Sequence, residues 1–291
     1  METPRTMLRT NLVIPGVGKS GTSSLHEYLA QHPDISMSSV KEPHFFSIEE
    51  RFLKGADYYN SLYKRKEAKF FGESSTTYLG SDVAIHRMRE LIPSAKFIIL
   101  LREPLSRIYS HYAWLTVNNG ENRPFRDAVE ADLDEPFDPN SPVKGFGYRN
   151  YLFFSRYGTL VEKYHLAFGK ENVFLTSTEK LSAVPLQTLN SCFEFLNVSP
   201  LESIAEKKVN KTNPKIVNQT PEFLKKVIYS SPFPKSWKIY FDKRISPFFK
   251  REMQIPPFTA KDREWLRDLI TPEIRKLKDL SGYSFTEWGE W

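Results

Sequence analysis

The 291-residue sequence predicts an α/β protein, a single domain with a central parallel sheet flanked by helices. Three observations carry that expectation. Strand-like and helix-like segments alternate from Asn11 to Leu196. Phe97–Leu101 is a continuous apolar run, as a parallel strand covered on both faces requires. Val13–Leu25 reads as a buried strand, a glycine-rich turn and the first turn of a helix, which is the architecture of an anion cradle.

Asn11–Ile14 is the first strand, and a helix from about Thr22 to Gln31 follows, with Leu25, Tyr28 and Leu29 at helical spacing. His32-Pro33-Asp34 ends it, and Ile35–Ser38 forms a second strand leading into Lys41-Glu42-Pro43-His44-Phe45-Phe46. Lys69–Gly72 reads as a third strand with Glu73–Thr76 at its end, and a helix over Val83–Leu91 precedes the fourth strand, Lys96–Leu101. Leu105, Ile108, Tyr109, Tyr112 and Ala113 mark the next helix. The prolines and acidic residues of Glu121–Val143 predict an excursion over the surface. A long helix from Tyr151 to Tyr164, a strand at Val173–Thr176 and a helix from Pro185 to Leu196 come next. The remainder predicts helix and loop, with an amphipathic helix over Lys261–Leu280 and an aromatic tail. The single domain thus divides into a core of about 11–215 and a helical C-terminal extension of about 216–291.

Hydrophobic residues make up 40% of the chain, ample for a core, so a disordered chain is excluded. The single Cys192 excludes an internal disulfide, and no Cys/His pattern suggests zinc. Met1–Arg5 lacks the apolar core of a signal peptide and Phe97–Leu101 is too short to span a bilayer. The expectation is a soluble, cytoplasmic protein with no membrane span and no nucleic-acid partner. The net charge of +6 is concentrated in the last third, from Lys207, Lys208, Lys211 and Lys215 to Lys250 and Arg251, a face suited to polyanions or simply to solvent.

Ligands of an open parallel sheet bind beyond the carboxyl ends of its strands. Those ends carry Gly16–Thr22, Lys41–His44, Glu73–Thr76 and Arg102. The glycine turn fails as a nucleoside-triphosphate P-loop in either register. If Gly18-Lys19-Ser20 closes that motif, Val13 stands where its first glycine belongs; if Gly16 opens it, Thr22 stands where its lysine belongs. The fourth strand ends in Arg102 where an NTPase places a magnesium-holding aspartate. The expected site is P-loop-like, metal-free and built for two separated anionic groups.

Lys19-Ser20-Gly21-Thr22-Ser23-Ser24-Leu25 resembles the 5′-phosphosulfate loop of the sulfotransferases that use 3′-phosphoadenylyl sulfate (PAPS) and release PAP. Phe97 through Arg102-Glu103-Pro104 to Ser110 resembles their 3′-phosphate signature, with arginine and serine eight positions apart. Lys41–Phe46 is similar to the segment of the heparan sulfate 3-O- and N-sulfotransferases that carries a catalytic glutamate, and Asn210-Lys211-Thr212 to a cofactor-covering segment of the same enzymes. The resemblance implies the P-loop-like sulfotransferase fold, with Gly18 to Ser24, Arg102, Ser110, Lys211 and Thr212 on the cofactor. Tyr157 also approaches that site in this reading. The glycan enzymes commonly carry a lysine after the glutamate at the position of Glu73; Ser74 stands here, which counts against a heparan-like acceptor, and a disulfide-free chain expected to be soluble points to a small molecule or natural product as acceptor.

Sulfuryl transfer in line from a phosphate oxygen is catalysed mainly by positioning and charge stabilisation. Lys19 and the N–H groups of Ser20 to Ser23 are expected to balance charge on the leaving phosphate. Glu42 is the expected base toward a hydroxyl or amine, with His44 as alternative base or orienting residue and Glu73 placing the acceptor. Arg102 also has a structural alternative, an ion pair with Glu103. Two competing functions are a P-loop kinase or NTPase and a non-enzymatic polyanion-binding protein.

Overall fold

The computed structural model describes residues 7–118, 121–134, 138–140, 149–205, 216–218, 250–252 and 255–291, with isolated positions between 224 and 244. Strand β1 (Leu12–Ile14), fully buried, lies at the centre of a parallel five-stranded sheet. Its partners are β2 (Ile35–Met37), β3 (Phe70–Ser74), β4 (Lys96–Leu101) and β5 (Val173–Ser177), in the order β2-β3-β1-β4-β5. Ile14 registers with Ser74 of β3, and Val13 with Phe97 of β4. The chain leaves β1 on one side for β2 and β3, then crosses to the other side for β4 and β5. The carboxyl end of β1 is therefore the switch point of the sheet, where such folds open a crevice.

The two-residue period of the strands divides their apolar side chains between two cores. Val13, Phe97, Ile99 and Leu101 face one core with Met88, Ile108, Tyr164 and Ile270, supplied by α4 (Asp82–Leu91), α5 (Pro104–Val117), α7 (Tyr157–Phe168) and α10 (Ala260–Ser281). Leu12, Ile14, Ile98 and Leu100 face the other with Leu25, Leu29, Leu189 and Phe193, from α1 (Thr22–Leu29) and α9 (Pro185–Phe195). Full burial of each such side chain contributes about 1.5–3 kcal/mol. The shorter helices are α2 (Glu49–Phe52), α3 (Gly55–Asn60), α6 (Phe125–Asp134) and α8 (Thr178–Ala183).

Three expectations are corrected. Within Glu121–Val143 the chain forms α6, which buries Phe125, Ala128 and Val129, so that stretch is not simply a surface excursion. It is anchored by Glu121, whose fully buried carboxylate takes Arg123 at 2.8 Å, Arg149 at 3.4 Å and the Tyr151 hydroxyl at 3.0 Å. The long helix from Tyr151 is broken at Arg156 (φ −77°, ψ 61°). Arg107, fully buried on α5, takes the Tyr151 carbonyl and Ser155 Oγ, drawing that segment into a 3₁₀ turn at Phe153–Ser155 before α7 begins at Tyr157. In the C-terminal part, read as helix and loop, β6 (Ile216–Asn218) and β7 (Lys250–Glu252) pair antiparallel.

The amphipathic helix is present as α10, started by a capping box between Thr259 and Asp262 and ended at Gly282 with φ 68°. It buries Leu266, Ile270, Ile274 and Leu277 in the first core and so belongs to the same domain as the sheet.

Candidate active site

The segment after β1 turns through Lys19 (φ 74°) and Gly21 (φ 76°), two excursions into the left-handed region separated by Ser20. Gly16 is required by proximity: a Cβ there would lie 2.1 Å from Thr22 Cγ2. No side chain caps the start of α1 and its first turn holds no acidic residue, which leaves its leading N–H groups to an anion. Thr22 is buried, Gly18 and Ser24 are half-buried and Ser23 is exposed. Ser20 Oγ is the one buried side-chain polar atom without a hydrogen-bond partner among the described residues.

Arg102, just past the end of β4, donates from Nη1 to the Lys19 carbonyl at 3.1 Å. Glu103 does not pair with it; its carboxylate caps α5 instead, accepting from Leu105 N at 3.1 Å and Ser106 N at 2.7 Å. Neither Lys19 nor Arg102 has a carboxylate partner among the described residues. Burial, and then the nearby Arg102 charge, lower the pKa of Lys19. Two cations held together without a counter-charge are what an anionic ligand requires. Both line a cavity of about 230 Å³ with Ser106, Tyr109, Ser110 and Trp114. Ser106 and Ser110 lie one turn apart on α5, so the serine expected from the signature reaches the site and a second one joins it. A larger hollow of about 350 Å³ runs along the outer edge of β5, between Phe174, Lys180, Glu194 and Tyr283, and contains none of these groups.

On the β3 side of the loop, Glu42 (φ 61°) and His44 (φ 51°) also adopt left-handed backbone conformations. The aromatic pair after His44 fixes this path: Phe45 stacks on Tyr59 at 4.1 Å and Phe46 meets Tyr78 edge-on at 5.6 Å. The Glu42 N–H donates to the Ser74 carbonyl at 3.1 Å, joining this segment to the residue in register with Ile14. Its carboxylate meets Lys41 Nζ at 3.0 Å, Thr76 Oγ1 at 2.9 Å and His44 Nε2 at 3.1 Å. An ionised carboxylate only accepts, so Nε2 carries a proton, and a neutral ring then accepts at Nδ1 from Thr77 Oγ1 at 2.8 Å. Burial works to raise the pKa of Glu42, but the His44 hydrogen bond, the Lys41 charge and hydrogen bond, and the Thr76 hydroxyl together lower it to about 2.

Glu73 and Tyr157 stand behind the site. Glu73 is fully buried and accepts from Tyr59 at 2.9 Å and Ser75 at 2.8 Å; burial, opposed by hydrogen bonds from Tyr78, Ser75 and Tyr59, raises its pKa. Ser75 Oγ in turn accepts from the His44 N–H at 3.0 Å. Tyr157, also fully buried, donates to the Arg102 carbonyl at 3.1 Å. Lys211 and Thr212 lie outside the described residues.

The sequence placed Ser75 and Thr76 at a strand end of the expected site without a role for either hydroxyl, and Thr77 and Thr178 were not among the expected residues. Ser75, Thr76 and Thr77 each serve Glu73, Glu42 or His44, and their succession after β3 was a legible signal. Thr178, after β5, donates to the carbonyls of Ser20 at 2.7 Å and Leu101 at 3.0 Å, tying the loop to β4. Nothing near Thr178 in the sequence marks it. Among the described residues no group of three or more His, Cys, Asp and Glu is arranged to hold a metal ion.

A parallel sheet with a glycine loop at its switch point, a helix start and two converging cations defines a phosphate-loop α/β protein. The chain belongs to the sulfotransferase family, whose domain model matches residues 9–270. Over 198 residues it is 26% identical to the mouse bifunctional heparan sulfate N-deacetylase/N-sulfotransferase 1, covering 65% of this chain and 22% of that protein. To the Caenorhabditis briggsae protein of the same description it is 34% identical over 107 residues, 35% of this chain and 12% of that one. The chain thus spans about a fifth of the length of these curated relatives or less. A sulfotransferase from Alicyclobacillus acidocaldarius has a similar fold, with a TM-score of 0.69 at 25% identity over 98% of this chain and 100% of that chain.

Proposed function

We propose that this protein transfers a sulfuryl group from PAPS to a hydroxyl or amine of a small-molecule acceptor, leaving PAP, in the cytoplasm and without a metal. The observation that carries the reading is the uncompensated pair Lys19 and Arg102 on one cavity, with the Glu42–His44 pair on the other side of the same loop. The residues fit the donor: the unpartnered Ser20 Oγ, the uncapped start of α1 and Lys19 suit one phosphate group, while Arg102, Ser106 and Ser110 suit a second. Bound there, PAPS supplies an activated sulfuryl group on a phosphate oxygen. Lys19 Nζ and the N–H groups of α1 balance negative charge at that oxygen. Glu42 takes the acceptor proton, and His44 Nε2 with Thr76 Oγ1 keeps the carboxylate aimed. Ser75 links Glu73 to the His44 backbone, so in this proposal Glu73 places the acceptor through His44 and not by contact.

Ser74 supports the small-molecule reading. It is fully buried and its Oγ lies 2.8 Å from His26 Nδ1, so position 74 presents no cation to a sulfated or carboxylated sugar. The relatives named for heparan sulfate define the competing acceptor class.

Titration with PAP, ATP and GTP, together with a screen of phenols, alcohols, amines and N-desulfated heparan using labelled PAPS, tests the assignment. PAP binds, the triphosphates do not, and a small acceptor is sulfated. Lys19→Ala abolishes turnover, Arg102→Ala weakens PAP binding, and Glu42→Gln keeps PAP affinity while lowering kcat by about 10²–10⁴-fold, the usual worth of a positioned base. Preference for ATP over PAP would overturn the donor assignment, and full turnover by Glu42→Gln the proton assignment.

A further inference from the structure

The peptide group joining Arg102 to Glu103 is held at both ends. Its carbonyl accepts from Tyr157 Oη at 3.1 Å, and its N–H donates to Glu179 Oε1 at 3.1 Å. Both of those side chains rest on one residue from the far end of the chain. Trp288 Nε1 donates to Glu179 Oε2 at 2.9 Å, and the Trp288 ring lies 6.0 Å from that of Tyr157. The tryptophan is itself fixed: it is buried, it stacks on Phe285 at 4.2 Å, and the neighbouring Glu287 carboxylate takes Ser177 Oγ at 2.5 Å and Tyr283 Oη at 3.0 Å.

We propose that Trp288 and Glu179 are positioning residues of the anion site. By clamping the 102–103 peptide, whose orientation sets where the Arg102 guanidinium projects, they govern affinity for the doubly anionic nucleotide and leave acceptor handling alone. The inference rests on the PAPS reading of that site. Two features set the clamp apart from general support of the fold. It grips one of the two peptides that flank the Arg102 Cα, and Thr178 Oγ1 grips the other through the Leu101 carbonyl. The residue beside Glu179, Thr178, grips the Ser20 carbonyl of the loop, so the distance between the two cations is set from the end of β5. The indole N–H on Oε2 restrains the Glu179 carboxylate, so losing it frees Oε1 to turn away from the Glu103 N–H.

The decisive variant is Trp288→Phe, which keeps a ring against Tyr157 and Phe285 but removes the N–H. Its Kd for PAP rises about tenfold, the loss expected for one hydrogen bond to a charged group. The KM for the acceptor stays at the wild-type value. The rise disappears in an Arg102→Ala background, because the clamp acts through that guanidinium. Glu179→Ala repeats the pattern, and Glu179→Gln, which retains an acceptor oxygen for the Glu103 N–H, recovers part of the affinity. Circular dichroism melts establish that each variant is folded, and the Glu179 pair decides the matter if Trp288→Phe does not fold. A folded Trp288→Phe with wild-type PAP affinity, or a rise that persists undiminished in Arg102→Ala, overturns the proposal while leaving the donor assignment standing. A wild-type protein that binds no PAP overturns both.

Discussion

Glu42 and His44 hold backbone conformations that non-glycine residues rarely adopt, and Lys19 does the same on the other side of the site. Each costs about 1–3 kcal/mol and persists only where the surroundings over-determine it. Here the surroundings are on view: Phe45 and Phe46 locked into an aromatic cluster after His44, and a hydroxyl or carbonyl from Ser74 to Thr77 under each polar group. The Glu42 carboxyl, lowered to about 2, makes a prediction with a definite sign. A carboxylate whose pKa is depressed by folding adds stability above its unfolded range near 4.5, and loses it as pH falls toward the folded value. Urea melts of wild type and Glu42→Gln are therefore expected to show a wild-type advantage that is constant above about pH 5 and fades toward about pH 2. A difference independent of pH would count against the His44, Lys41 and Thr76 interactions as its source. With Glu42 as the proposed base, the same shift places the acid limb of kcat/KM near the folded value of about 2. At this scale the convergence of Lys19, Arg102 and Ser110 on one cavity was legible, because each stands in a short pattern with its own chemistry. The supporting role of the Thr76 hydroxyl, and Thr77 and Thr178 altogether, were not recognised, because their partners are distant in sequence.

Among the elements, the turn from β1 into α1 is the most sharply constrained. The 2.1 Å approach to Thr22 leaves no room for a methyl group at Gly16, so Gly16→Ala must displace the loop or the start of α1. The expected result is a loss of about 1–3 kcal/mol in chemical denaturation, the usual cost of overpacking, with PAP affinity falling more than about tenfold because the moved atoms are those proposed to meet the phosphate. Unchanged affinity would show that the loop tolerates the shift and that anion binding does not depend on its shape. Elements with strong internal periodicity, β4 and α10 above all, were legible with nearly correct bounds. The break before α7 was not, since a buried arginine on another helix captures the Tyr151 carbonyl. Nor was α6, whose apolar residues Phe125, Ala128 and Val129 sit among acidic ones and gain their partners from α5 and from Phe258.

For the molecule as a whole, the proposed donor site lies where β1, β4 and β5 end and where the C-terminal turn at Thr286–Trp288 returns, so its occupancy is expected to couple to much of the fold. PAP at about a hundred times its Kd is expected to stabilise the protein by about 2.7 kcal/mol, read as a raised melting temperature that Lys19→Ala abolishes. An equal shift with ATP would remove the distinction between the two nucleotides. The sequence by itself determined the alternation of strands and helices, the glycine loop in a register unsuited to ATP, and the charged residues at the strand ends, because each is written in neighbouring positions. Only the tertiary structure decided that β1 lies between β3 and β4, which sets Lys19 between Glu42 and Arg102, and that Tyr157, Glu179 and Trp288 meet around one peptide group. Strand order and long-range contact follow from how separate apolar faces pack together, and no local stretch of the chain encodes that.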